Sequence, residues 1–126
     1  MHLGHPEAAE PKFKEAYDRS KSKFGEKDPD TMRNLGGWSM CLKECGQEDQ
    51  ALELKRKRWE DSKKNLGPSH PDTLTALGNY GVALSQAGQN VEAEVKKKLH
   101  YDSCVSFLGE RHPDTLSSMG NWAESL

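Results

Sequence analysis

The stretch Leu66-Gly-Pro-Ser-His-Pro-Asp-Thr-Leu74 decides how this chain folds. Its tripeptide Pro71-Asp72-Thr73 also occurs at Pro29-Asp30-Thr31 and Pro113-Asp114-Thr115, each copy 42 residues from the next. A fixed period in the range of about 20–50 residues marks a repeat architecture. Set out in rows of 42, the 126 residues show eight identical columns and need no gap. These are Gly4/Gly46/Gly88, Ala9/Ala51/Ala93, Gly25/Gly67/Gly109, Pro29/Pro71/Pro113, Asp30/Asp72/Asp114, Thr31/Thr73/Thr115, Gly36/Gly78/Gly120 and Leu42/Leu84/Leu126.

The punctuation divides each period into two helices. Pro71 suits a first helical position, where its missing N–H costs nothing, and Asp72 places negative charge in the first turn. Asp28 before Pro29 is a good N-cap, whereas His70 and His112 at the matching positions are weaker ones. Leu74, Leu77, Tyr80, Gly81 and Leu84 then recur at helical spacing, up to a stop near Gly88. A second helix follows from about Asn90 to Phe107, carrying Ala93, Val95, Leu99, Tyr101 and Val105, and Gly109 ends it. Glu53–Lys57, Glu60–Lys64, Glu92–Lys96 and Glu94–Lys98 are i,i+4 pairs in the favourable order. Small residues (Ala9/Ala51/Ala93 and Ser39/Gly81/Ala123) mark close approach within a pair. The aromatic columns Trp38/Tyr80/Trp122 and Tyr17/Trp59/Tyr101 fill the space between units.

Composition agrees with a thin, repeated core. Hydrophobic residues make up 33% and charged residues 30%, the mean hydropathy is −0.93, and there is no isoleucine. So few aliphatics would suggest disorder at high net charge, but the net charge is −2 and nine aromatics are present. Each unit of a helical array buries only a modest stripe against its neighbours. No apolar run is long enough to span a membrane, and the N-terminus has no signal-peptide pattern. A pI of about 6.2 argues against general nucleic-acid binding. Three cysteines, Cys41, Cys45 and Cys104, form no disulfide framework, so an intracellular, cytoplasmic location is expected.

The expected fold is therefore all-α: about six helices in antiparallel pairs within a single domain. The repeat phase divides it into a half repeat 4–25, repeats 26–67 and 68–109, and a half repeat 110–126. The chain would begin on a second helix, from about His5 to Phe24, and close on a first helix, from about Pro113 to Leu126. Both would leave apolar faces uncovered. Leu126 falls one position before the phase of Met1, so head-to-tail stacking would complete a repeat in register.

These residues resemble the tetratricopeptide repeat (TPR) in its 42-residue, kinesin-light-chain-like form. That form has a Leu-Gly-Pro-x-His-Pro-Asp-Thr-Leu loop, a Leu-x-Asn-Leu-Ala helix and a Gly-x-x-x-Glu-Ala-Glu helix start. The matching stretches are Leu66–Leu74, Leu77-Gly-Asn-Tyr-Gly81 and Gly88-Gln-Asn-Val-Glu-Ala-Glu94, with Leu108-Gly-Glu-Arg-His-Pro-Asp-Thr-Leu116 in the third loop. The resemblance implies a right-handed superhelical solenoid whose first helices line a concave wall that binds extended peptides. It places Asn79 and Asn121 at the groove-asparagine position, where Gly37 stands in the first unit. Flanking wall positions are Arg33, Met40, Lys43, Thr75, Val82, Gln86, Ser117 and Glu124. The implied function is a non-catalytic interaction scaffold or adaptor with a protein or peptide partner. The alternative is a structural linker whose open ends pack on neighbouring chains.

Other features read as structural. Lys55–Arg58 and Lys96–Lys98 lie 42 residues apart and are expected on a solvated outer face. His70 and His112 read as loop or cap residues, and the cysteines as small core residues. No phosphate loop, nucleophile elbow or zinc-binding His-Glu-x-x-His appears, so no enzyme activity, cofactor or metal is expected. The glycines at 36, 78 and 120 suggest a shallow wall, or one filled by another helix.

Overall fold

A computed structural model describes residues 6–26 and 28–124, with side chains from residue 9 onward. Six helices lie among the described residues: α1 (Pro6–Phe24), α2 (Pro29–Glu44), α3 (Glu48–Leu66), α4 (Pro71–Gln86), α5 (Asn90–Leu108) and α6 (Pro113–Ala123). No strand occurs among these residues. The expected outer ends at His5 and Leu126 fall outside them. Among the described residues no helix is long and apolar enough to cross a membrane.

The helix starts follow from local chemistry. Asp28 Oδ1 accepts a hydrogen bond from Asp30 N at 2.9 Å. His70 and His112, expected to be weaker caps, do the same job: each Nδ1 accepts from the backbone N–H two residues on, at 3.1 and 3.0 Å. A ring nitrogen accepts through the lone pair of its unprotonated face, so the bond fixes which nitrogen of each ring turns to the helix start. The helix ends are equally local. After α4, Gly88 N donates to Ser85 O and Gln89 N to Leu84 O, with Gly88 at φ +82°, the left-handed region that glycine occupies without strain.

The chain divides within α3 into two compact units, Met1–Asp61 and Ser62–Leu126. In the first, α1 and α2 run antiparallel: Glu10 meets Trp38, Phe13 meets Gly37, and Ser20 meets Asn34. Trp38 Nε1 donates to Glu10 Oε1 at 2.9 Å, and the Trp38 ring lies 5.7 Å from that of Tyr17. Asn34 Nδ2 donates to Ser20 Oγ and to Ala16 O, stitching the two helices together. In the second unit, α4 and α5 form an antiparallel hairpin through Tyr80–Glu92, Gly81–Lys97 and Gly78–His100. α6 packs on α5 through Tyr101–Trp122, whose rings stack at 5.4 Å. Tyr17–Trp38 and Tyr101–Trp122 from the expected aromatic columns thus meet as pairs, second helix against the following first helix.

The core is narrow and repeats with the sequence. Leu42 and Leu84, from one identical column, are buried, as are Met32, Leu35, Leu74 and Leu77 on the first-helix faces. Ala51 and Ala93 are buried as well, which permits close helix approach. Thr31, Thr73 and Thr115 are all buried, yet none of their hydroxyls has a hydrogen-bond partner among the described residues.

Candidate functional site

The basic clusters do not form a uniform outer face as expected, because helical geometry sends neighbouring residues to opposite sides. Arg56 pairs with Glu53 and Glu60, and Lys57 with Asp61 and Glu26, not in the expected Glu53–Lys57 arrangement. Arg58 instead turns onto α2, its Nη1 3.2 Å from where a Gly36 Cβ would stand. Lys55 is half-buried, and burial lowers its pKa, with Lys43 and Arg58 adding like-charge repulsion. On α5, Lys97 is only 6% exposed and lays its stem against Gly81, while Lys98 reaches out to Asp102.

The same geometry explains the glycine column. Gly36 and Gly78 seat Arg58 and His100, side chains that reach across from the second helix of each pair. They do not form an empty wall. A Cβ at Gly78 would meet His100 Cε1 at 2.7 Å, shorter than any tolerable contact. At Gly120 a Cβ would meet open space.

In the second unit this packing leaves a concavity of about 330 Å³ bounded by α4, α5 and α6. Thr75, Asn79 and Val82 line it from α4, and Ser117 and Asn121 from α6. Five of the residues expected on the wall are thus brought together. Gln86 and Glu124 do not line this hollow. Arg33, Met40 and Lys43 belong to the first unit, where Arg33 pairs with Asp30 at 3.0 Å and Met40 is exposed. Gly37, at the groove-asparagine position of that unit, is filled by the Phe13 ring.

The hollow also contains residues that sequence reasoning passed over. His100 forms part of its floor, and His112 and Asp114 line its edge. Burial holds the His100 imidazole below its ordinary range, against an opposing pull from Asp114. The available signal was the column 58/100 of long polar residues, which recurs with the invariant glycine it covers. Cys104 lies in the hollow's wall, buried, and burial raises its thiol pKa. A wider depression of about 830 Å³ runs along one face of α1, but a single helix lines it with charges of both signs and it has no opposing wall. Among the described residues no group of three His, Cys, Asp or Glu side chains is placed to hold a metal ion.

A surface lined by paired carboxamides and hydroxyls, with apolar Leu74 and Val82 between them, suits main-chain recognition. A carboxamide offers a donor and an acceptor together, matching the alternation along an extended backbone. The Asn79 side chain is exposed and makes no hydrogen bond within the described residues.

No family model matches this sequence, and no curated protein does. Solved structures match over nearly the whole chain. The nearly identical TPR-like repeats of a candidate kinesin light chain from Podosopora anserina give a TM-score of 0.80 at 20% identity, covering 97% of this chain and 58% of that one. A point variant of those repeats gives 0.74 at 18% identity, over 98% and 68% of the two chains. BtubC (BKLC) from P. vanneervenii gives 0.77 at 20% identity, over 97% of this chain and 48% of that chain. The fold is therefore that of TPR-like, kinesin-light-chain-type helical repeats. This chain spans 58% and 48% of the lengths of two of these neighbours.

Proposed function

We propose that this chain is a non-catalytic protein-interaction module that holds an extended segment of a partner protein in the α4–α5–α6 groove. One observation carries the reading: Asn79 and Asn121, one repeat apart, face a single hollow together with Thr75 and Ser117. Helical-repeat proteins put their stacked surfaces to this use. The reading keeps the division into a half repeat 4–25, repeats 26–67 and 68–109, and a half repeat 110–126. The test is selection of peptides on the immobilised chain, followed by binding to the double variant Asn79→Ala plus Asn121→Ala. Selected peptides should bind the variant roughly ten-fold or more weakly, as expected for two lost hydrogen bonds of about 1 kcal/mol each. Its helix content should be unchanged. Peptides that bind the variant equally well would remove the groove from the proposal.

A second reading, a linker whose end packs on a neighbour, is favoured by a different observation. Leu116 and Met119 on α6 are 55% and 43% exposed, whereas Leu74 and Leu77 in the same columns are 4% and 3% exposed. Open space at Gly120 continues that face. In this reading a second helix from another copy of the chain covers α6. Light scattering across a concentration series tests it, and a monomer at every concentration rejects self-stacking.

A further inference from the structure

The floor of the groove is supplied by the second helix through a gap left in the first. At Gly78 the missing Cβ lets the His100 ring lie across α4, with both ring nitrogens 3.1 Å from the vacant Cβ position. The first unit repeats the device with Gly36 and Arg58. The couple is therefore a fixed socket with an interchangeable head group: a permanently charged guanidinium in one unit and an imidazole in the other.

His100 is half-buried and makes no hydrogen bond among the described residues. Few charged or titratable groups face it. α4 presents none to the hollow. α5 adds only the buried Cys104 thiol, and the start of α6 adds His112 and Asp114. His112 caps α6, its Nδ1 accepting from Asp114 N at 3.0 Å and standing 3.9 Å from the Asp114 carboxylate. Among the described residues that line the hollow, Asp114 supplies the carboxylate.

We infer that this groove takes an extended peptide carrying a lysine or arginine beside Asp114, and that His100 is the contact that makes its binding proton-dependent. The inference rests on the groove reading above. With His100 neutral, Asp114 attracts the incoming cation with no charge on the groove floor to oppose it. With His100 protonated, a second cation sits on the groove floor, repels the ligand and competes for Asp114. Affinity is therefore full above the imidazole's titration and falls as pH drops through it. An acidic peptide would show the opposite trend, gaining affinity as the floor becomes charged.

The experiment uses the whole chain, immobilised, and a displayed library of random dodecapeptides at pH 7.5. The enriched peptides should carry Lys or Arg and few Asp or Glu. A synthetic copy of the most enriched one should bind at least about five-fold more weakly at pH 5.5 than at pH 7.5, by fluorescence anisotropy. His100→Gln keeps polarity without titrating, so the ratio of its affinities at pH 7.5 and pH 5.5 should fall to near one, whatever the change in affinity itself. His112→Asn keeps an N-cap without titrating, so it should leave the response intact. Should His100→Gln not fold, NMR titration of the wild-type His100 imidazole replaces it, and that titration must move to lower pH when peptide is bound. Enrichment of acidic peptides, a pH response that survives His100→Gln, one that disappears with His112→Asn, or an unmoved imidazole titration overturns the inference. Peptides that need Asn79 and Asn121 but show no charge preference overturn only this inference. Enrichment without dependence on those asparagines overturns the groove reading beneath it.

Discussion

Three glycines occupy one column of the repeat, and the structure assigns them three different responses to alanine. In a helix interior, Gly→Ala gains about 1 kcal/mol from propensity and from the lower entropy of the unfolded chain. At Gly120 the new methyl meets nothing within 4 Å, so Gly120→Ala should realise about 0.5–1 kcal/mol of that gain. At Gly36 it would lie 3.2 Å from Arg58 Nη1, the far end of a flexible side chain. The guanidinium can swing aside, and the gain should shrink to about 0.5 kcal/mol. At Gly78 it would lie 2.7 Å from a carbon of a stiff, half-buried ring. Overpacking costs about 1–3 kcal/mol, which exceeds the propensity gain, so Gly78→Ala should destabilise by about 1 kcal/mol. Urea denaturation followed by far-UV circular dichroism measures all three. For a chain of this size 1 kcal/mol corresponds to about 4 °C in Tm. The decisive measurement is the cycle of Gly78→Ala, His100→Ala and the double variant. Removing the ring should restore the helix gain, with a coupling of at least about 1 kcal/mol. A Gly78→Ala variant as stabilised as Gly120→Ala, or a cycle with no coupling, refutes the socket arrangement.

Further outcomes follow from other groups. Thr73→Val replaces a buried, unpartnered hydroxyl with a methyl of similar shape and should be neutral or stabilising by up to about 1 kcal/mol in the same denaturation assay. Burial depresses the folded-state pKa of His100 below the ordinary value of 6.5, so the unfolded chain binds more protons below that pH. Stability should therefore decline as pH falls from about 6.5 through the folded-state value, and His100→Gln should flatten that part of the stability–pH curve. Burial also pushes the Cys41 thiol up to about 11, with Cys45 beside it. Under brief alkylation of the native chain, mass spectrometry should find Cys45, which is partly exposed, modified well before Cys41 and Cys104.

Helix boundaries were legible because they depend on local rules. Proline at the first helical position, Asp in the first turn and glycine at positive φ each act within four or five residues, and α2 and α4 begin and end where these signals stand. Columns spaced by the period also identified the aromatic pairs Tyr17–Trp38 and Tyr101–Trp122. The miss at Gly36 and Gly78 had a different origin. Whether a glycine leaves a void or a socket depends on which side chain crosses from another helix, and propensity says nothing of that. For the same reason Lys55, Arg58 and Lys97 were assigned outward from their charge, although their stems or head groups pack inward. The histidine caps were underrated because the usual ranking concerns oxygen acceptors, whereas an imidazole Nδ1 reaches the same N–H. Of the groove, the asparagines were visible from the repeat and the imidazole floor was not.

The two outer helix seams also differ in what light would report from them. Trp38 donates its indole N–H to a carboxylate and sits tilted by 36° against Tyr17. Trp122 has a buried indole N–H with no partner among the described residues, stacks at 22° on Tyr101 and lies 5.8 Å from the Lys98 ammonium. Glu94 holds the position that Glu10 has in the first seam, yet the bond is not repeated. The two indoles should therefore differ in emission wavelength and in quenching. Variants that retain a single tryptophan turn each seam into its own fluorophore, so fraying at α1–α2 and at α5–α6 can be timed separately in one protein.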